Sequence, residues 1–114
     1  MVGEYGYHGT QKRKLRSIAR DGLVPMVQPE EHADEDREDP RPGIYFSPTE
    51  QIARNWGGVV LRFPFPEDAE EDYYGDSLFF KGAGVLRSSY IARHAISPEL
   101  IEVKIGRRWV PLVS

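Results

Sequence analysis

The run from Gly43 to Gly57 constrains the fold of this chain more than any other stretch. It begins with an apolar, strand-forming segment and passes without a break into the pattern of a capped helix. Ser47 predicts the helix cap, Pro48 suits the first helical position, and Glu50 completes a Ser-x-x-Glu capping box. Gly57 and Gly58 predict where this helix ends. The pattern therefore predicts a strand followed directly by a short helix.

Two aromatic residues stand at defined places in this unit. Tyr45 ends the predicted strand, and Trp56 lies near the far end of the predicted helix. The two rings either form two walls of one pocket or pack into the core, and the sequence leaves both interpretations open.

A second strand-to-helix junction occurs at residues 7–10, Tyr-His-Gly-Thr. The predicted strand over residues 4–8 delivers His8 to its end, a common place for functional residues. Gly9 has no Cβ, so its backbone can approach a flat ligand and hydrogen-bond an amide. Thr10 predicts the cap of a helix over residues 11–21, and Gly22 predicts the end of that helix.

The chain has 114 residues and no cysteine. This length predicts a single domain over residues 1–114 with one core. The lack of cysteine excludes disulfides, thiolate nucleophiles and cysteine metal sites. His32 stands among carboxylates, but their spacing fits no usual set of metal ligands. We therefore predict no metal site. No apolar run approaches the ~20 residues that span a bilayer, and no signal-type segment is present, so we expect a cytoplasmic protein without a membrane partner.

Acidic residues are concentrated in two runs. Residues 30–39 hold seven acids and residues 67–72 hold five, which leaves six acids against fourteen Lys and Arg elsewhere. The remaining surface is therefore basic, which favours a nucleic acid or polyphosphate partner, or is simply a solvated surface. We interpret residues 24–42 as a long, mobile acidic loop, because they show no periodicity and carry too much charge to bury.

The second half of the chain is rich in predicted strands. Residues 59–63, 85–94 and 101–105 read as strands, and Gly106 to Arg108 close a hairpin onto residues 109–113. Residues 73–80 fit a strand or an irregular segment equally well. With the two predicted helices, this pattern indicates an α+β domain.

Three motifs occur in the order found in one enzyme superfamily: Tyr7-His8-Gly9-Thr10, Gly22-Leu23-Val24-Pro25 and Gly43-Ile44-Tyr45-Phe46. Over roughly residues 5 to 63 the chain resembles ADP-ribosyltransferases of the diphtheria-toxin-like branch, which includes poly(ADP-ribose) polymerases and RNA 2'-phosphotransferases. The resemblance implies split antiparallel β-sheets around an NAD cleft, with one or two flanking helices. It also implies that the loop of residues 24–42 overlies the nicotinamide pocket as a lid.

The resemblance also implies roles for individual residues, with NAD as a substrate. His8 would hydrogen-bond a ribose hydroxyl, Gly9 would hold the carboxamide through its backbone, and Tyr45 with Trp56 would stack on the nicotinamide ring. Thr10 is a further candidate NAD-binding residue. The family carries a glutamate at the start of a late strand, whereas residues 87–91 contain no acid. Tyr90 in this region is the third candidate catalytic residue, after His8 and Tyr45.

Three functions follow from this resemblance. The first is a small mono-ADP-ribosyltransferase that modifies a protein or nucleic acid, in a role typical of toxins or phages. The second is a phosphotransferase-like enzyme that holds an RNA phosphate with arginines, for which the candidates are Arg41, Arg87 and Arg93. The third is a non-catalytic module that binds NAD, ADP-ribose or a partner protein, which the missing glutamate favours.

Overall fold

The computed structural model describes residues 4–26, 42–72, 75–80 and 84–113, in which two α-helices and nine β-strands form an α+β fold. In chain order these elements are β1 (Tyr5–Thr10), α1 (Leu15–Asp21), β2 (Ile44–Phe46), α2 (Glu50–Ala53), β3 (Val59–Pro64), β4 (Glu70–Glu71), β5 (Ser77–Phe80), β6 (Gly84–Arg87), β7 (Tyr90–Ala92), β8 (Glu102–Ile105) and β9 (Arg108–Pro111). Short 3₁₀ turns at Lys12–Lys14, Arg54–Trp56 and Pro98–Leu100 complete the order.

All strand pairs are antiparallel. The main sheet has the order β1-β3-β8-β9, so β1 is an edge strand. The second sheet has the order β2-β7-β4, and β5 with β6 forms a separate hairpin. The prediction of antiparallel sheets with two helices is confirmed at this level.

Aromatic packing holds the two sheets together. Phe46 from the second sheet is fully buried, with its ring centroid 5.4 Å from that of Phe63 in the main sheet and 6.0 Å from that of Tyr90 in β7. Phe65 adds a third ring 5.2 Å from Phe46. Burial of such rings contributes about 2 to 3 kcal/mol each, so this cluster is the main attachment between the sheets.

Helix α1 ends as expected, because Gly22 takes the left-handed conformation (φ 77°) that a residue with a Cβ rarely adopts. Its beginning differs from the prediction. Thr10 completes β1 and caps nothing; Gln11 precedes the 3₁₀ turn, which leads into α1 at Leu15. The backbone pairing of Thr10 with Val59 keeps it in the strand.

The capping box predicted at Ser47 is wrong. Thr49 is the cap of α2, and its side-chain oxygen accepts a hydrogen bond from the Ile52 N–H at 3.4 Å. The Ser47 hydroxyl instead accepts from the Thr49 N–H at 3.1 Å. The Ser47 backbone is already paired with β1, so the helix begins two residues later than the sequence pattern indicates.

The single strand predicted over residues 85–94 is two strands in different sheets. Strand β6 ends at Arg87 and β7 begins at Tyr90, with Ser88 and Ser89 between them. The hairpin predicted after residue 101 is confirmed as β8 and β9, with Gly106 (φ 63°) at its turn. The greater part of the predicted loop, residues 27–41, lies outside the described residues, whereas Met26 and Gly43 pair through both backbone groups at 3.2 and 3.1 Å.

Candidate functional site

The candidate site lies where β1 and β2 meet. Tyr7 exchanges both backbone hydrogen bonds at 2.8 Å with Ser47, the residue after β2, and among the described residues this is the only backbone pair that joins the two segments. A continued antiparallel ladder would next pair Gly9 with Tyr45. The ladder stops instead, because no backbone pair of Gly9 with Tyr45 occurs among the described residues. We call this interruption the opening.

The side chain of His8 enters this opening. Its Nδ1 lies 2.8 Å from the backbone carbonyl oxygen of Tyr45. A carbonyl only accepts, so Nδ1 carries the proton and donates it. In the neutral ring, Nε2 is therefore an acceptor with a fixed direction.

The surroundings of His8 favour the neutral ring. Burial is the main influence and lowers the pKa of His8 from its ordinary value of 6.5, and the positive charge of Lys14 lowers it further. The hydrogen bond to the Tyr45 carbonyl acts in the opposite direction but does not outweigh burial. Near neutral pH, His8 therefore offers an acceptor rather than a positive charge.

Gly9 presents unpaired backbone groups at the same opening. Successive residues of a strand direct their N–H and C=O to opposite sides, and Tyr7 directs its groups toward Ser47. The N–H and C=O of Gly9 therefore also point away from β3, to the open edge of β1, where no described residue pairs with them. Gly9 is nevertheless buried, and buried backbone groups are nearly always paired. This is the strongest local indication of a ligand site.

The 3₁₀ turn after α2 covers Gly9 closely. A Cβ built on Gly9 would lie 2.1 Å from the Ala53 carbonyl oxygen and 3.1 Å from the Trp56 Cβ. Trp56 itself is 44% exposed, and Tyr45 is half-buried. The structure thus brings His8 to Tyr45 and Gly9 to Trp56 at one junction. Thr10, the last of the predicted binding residues, is buried beside them.

Tyr90 does not lie at this opening. Its side chain is 3% exposed, its ring packs 5.1 Å from that of Phe65, and its hydroxyl accepts a hydrogen bond from the Arg87 N–H at 3.2 Å. This placement gives Tyr90 a packing role in the core and does not support the catalytic role expected from its position in the sequence.

The arginines considered for phosphate binding are already engaged. Arg93 donates to Glu70 at 2.5 Å and to the Pro42 carbonyl at 3.2 Å. Arg87 donates to the Gly75 carbonyl at 3.3 Å. Arg41 lies outside the described residues. These contacts give Arg87 and Arg93 structural roles in holding β6 and β7 to their neighbours.

Sequence reasoning missed the acids that the second sheet brings beside β7. Glu71 and Glu70 lie in register with Tyr90 and Ile91, and Asp72 follows them, 5% exposed, with its N–H donating to the Ser89 carbonyl at 3.1 Å. Strand β4 has only two residues within an acidic run, so local sequence carries no signal that it pairs with β7.

A second missed group lies on one face of the main sheet, which we call the outer face: Tyr5, Tyr7, Arg62, Glu102, Lys104 and Trp109. The register places Tyr7 opposite Arg62, Arg62 opposite Glu102, and Lys104 opposite Trp109. The sequence shows that side chains alternate between the two faces along β1 and β3. It does not show which of these side chains become neighbours, because that depends on the strand order.

We expect stability to depend on pH through His8. Because its folded pKa lies below 6.5, the unfolded chain takes up the proton first as the pH falls. The contribution of neutral His8 is complete above pH 6.5 and declines as the pH falls through 6.5 toward the folded pKa. Urea unfolding from about pH 8 to pH 5 should show a steeper decline for the native chain than for His8→Asn. Equal slopes would contradict this assignment.

Comparisons with protein-family models, with curated proteins and with solved structures each found no match to this chain. Within the described residues, no helix is long and apolar enough to cross a membrane. No cluster of three or more potential metal ligands occurs there either. The function is therefore inferred from the geometry of the junction between β1 and β2.

Proposed function

We propose that this chain is a small NAD-dependent ADP-ribosyltransferase that cleaves the nicotinamide–ribose bond and transfers ADP-ribose to an acceptor. The observation that carries the proposal is the interrupted ladder at Gly9, whose N–H and C=O have no partner among the described residues, with the His8 ring and Trp56 on either side. The resemblance of residues 7–10 and 43–46 to that superfamily supplies the identity of the proposed ligand.

The carboxamide of nicotinamide complements the backbone hydrogen-bonding groups of Gly9. A primary amide offers an N–H donor and a carbonyl acceptor, which complement the C=O and N–H of one residue. Each such bond contributes about 0.5 to 1.5 kcal/mol, and leaving the buried groups unpaired costs more. The carboxamide would thus take the place of the strand partner that Gly9 lacks at the end of the ladder.

The aromatic and imidazole side chains complete the proposed contacts. Stacking of the pyridine ring on Tyr45 and Trp56 contributes about 0.5 to 1.5 kcal/mol per ring. The Nε2 of neutral His8 accepts a hydrogen bond from a ribose hydroxyl and thereby fixes the sugar. These residues hold the leaving group and the ribose on either side of the bond that breaks.

The proposed reaction requires no resident cofactor. The bond between the ribose C1 and nicotinamide breaks with its electron pair moving to the ring nitrogen, so that neutral nicotinamide leaves and the ribose becomes oxocarbenium-like. An acceptor oxygen or nitrogen then bonds to the same carbon and loses its proton. The held carboxamide aligns the departing ring, and the His8 contact orients the sugar for attack from the opposite side.

The two tryptophans provide a matched test. Trp56→Ala is expected to weaken NAD binding roughly three- to tenfold through lost stacking and to slow nicotinamide release, whereas Trp109→Ala on the outer face should leave unchanged both NAD binding and the release measured without nucleic acid. Calorimetry and a nicotinamide-release assay, with and without added nucleic acid or cell lysate as acceptor, measure the two effects. Saturable NAD binding without release in any condition would indicate the non-catalytic module instead, and absence of NAD binding would reject both.

A further inference from the structure

The outer face of the main sheet combines aromatic rings with cations. The Arg62 guanidinium carbon lies 4.4 Å from the Tyr5 ring centroid and 4.5 Å from the Trp109 centroid, while Glu102 accepts its Nε–H at 2.9 Å. Tyr7 packs 5.8 Å from Trp109. The guanidinium of Arg62 therefore lies between the rings of Tyr5 and Trp109, and these cation–π contacts restrict the position of all three side chains.

A cavity adjoins these rings at one end of the sheet. It has a volume of about 380 Å³ and is lined by Arg54, Gly57, Gly58, Val60, Lys104 and Gly106. Lys104 belongs to both features, because its Nζ also lies 5.5 Å from the Trp109 centroid. Volumes of about 300 to 1,000 Å³ are typical of small-ligand sites, so the cavity can receive a charged group carried by a larger molecule.

The charge of this surface is opposite to that of the chain. Three cations belong to it, Arg54, Arg62 and Lys104, against the two carboxylates Glu50 and Glu102, which gives a net charge of +1. The exposed Arg107, next in the chain to the cavity residue Gly106, raises this to +2. The whole chain has a net charge of −3. Glu50 bridges Arg54 and Lys104 and so fixes both cations at the cavity.

We infer that this surface binds single-stranded nucleic acid, with a backbone phosphate at the Arg54 and Lys104 cavity and a base packed against the partly exposed ring of Trp109, one face of which Arg62 covers. Half-exposed rings beside cations are the combination that single strands require, since every base has a stacking face and every nucleotide has a phosphate. Duplex DNA hides its base faces, and an acidic peptide offers no rings to stack. The strands place Lys104 and Trp109 on the face opposite His8. Arg54 belongs to the 3₁₀ turn that carries Trp56 and covers Gly9, so the cavity adjoins the proposed NAD site, whereas His8 is not part of this surface.

Anisotropy of labelled thymidine and uridine oligomers of about 12 nucleotides tests the inference. Trp109→Ala is expected to weaken binding roughly tenfold, and so is the double variant Arg54→Ala with Arg107→Ala. That double variant should also lower the slope of log affinity against log salt by about 1. The control pair, Arg16→Ala with Arg20→Ala, removes the same charge from the exposed surface of α1 and should change affinity less than about twofold.

Competitors separate the alternative partners. Duplex DNA and polyglutamate should each displace the oligomer at least about tenfold less effectively than unlabelled single strand. The inference is overturned if the native chain shows no saturable binding, if the control pair weakens binding as much as the test pair, or if either competitor matches the single strand. The arginine variants change exposed side chains, so they remain decisive if Trp109→Ala unfolds. His8→Ala should retain oligomer binding, which separates this outcome from failure of the NAD proposal.

Discussion

Replacing His8 with asparagine is expected to lower the rate of nicotinamide release at least ~100-fold, because a misplaced ribose forfeits the alignment on which bond cleavage depends. The asparagine amide can still donate to the Tyr45 carbonyl that now accepts from Nδ1, but it has no acceptor where Nε2 stood. His8→Ala removes both contacts. Nicotinamide release at saturating NAD measures the loss.

The two His8 variants separate catalysis from structure. His8→Ala leaves the Tyr45 carbonyl without its partner and should melt at a lower temperature than His8→Asn, since an unsatisfied buried acceptor costs about 1 to 3 kcal/mol. Both variants should release nicotinamide equally slowly. If His8→Asn released nicotinamide at the native rate, Nε2 would have no part in the reaction and the proposed role of His8 would be wrong.

Gly9→Ala is expected to abolish NAD binding and to lower the free energy of unfolding by about 1 to 3 kcal/mol. The added methyl group would lie 2.1 Å from the Ala53 carbonyl oxygen, a backbone atom that cannot rotate away. The 3₁₀ turn carrying Trp56 must therefore shift, and the opening beside Gly9 changes shape. Urea unfolding and calorimetry with NAD measure the two effects.

Gly58→Ala is the matched control for this substitution. A Cβ at Gly58 meets nothing within 4 Å, so the same chemical change should leave stability within about 0.5 kcal/mol of the native value and preserve NAD binding. Native-like NAD affinity in Gly9→Ala would show that the carboxamide does not bind at this backbone, and the proposed ligand pose would have to be abandoned.

The sequence predicted those parts of the fold that depend on local chemistry. Gly22 and Gly106 take positive φ where a helix and a hairpin required it, and the strand at Tyr45 does lead into a short helix. The cap was misplaced because Ser47 is committed to a backbone pair with Tyr7, forty residues away. A long-range pair of this kind overrides a local capping preference and leaves no trace in the capping pattern.

The candidate site was predictable to the extent that its residues lie in short motifs. His8, Gly9 and Tyr45 were selected from two such motifs, and the structure places them at one junction. Tyr90 was selected because it lies in the region where the superfamily carries a glutamate, and the sequence did not show that β6 and β7 separate into different sheets and bury its ring. Rows of side chains such as Tyr5, Arg62 and Trp109 come together only through sheet register, which a sequence of this length does not specify locally.

The joint between the two sheets has a consequence for how this protein tolerates change. Within the described residues, β1 is tied to the β2 segment by the backbone pair of Tyr7 with Ser47 and by the hydrogen bond from His8 to the Tyr45 carbonyl, and Phe46 packs against Phe63 with Gly6 beneath both rings. The spacing of the strands therefore depends on the volumes of buried side chains as well as on the residues that line the opening. Substitutions that enlarge Gly6 or trim Phe46 would alter ligand selectivity from a distance, so natural variation in specificity can arise in the core.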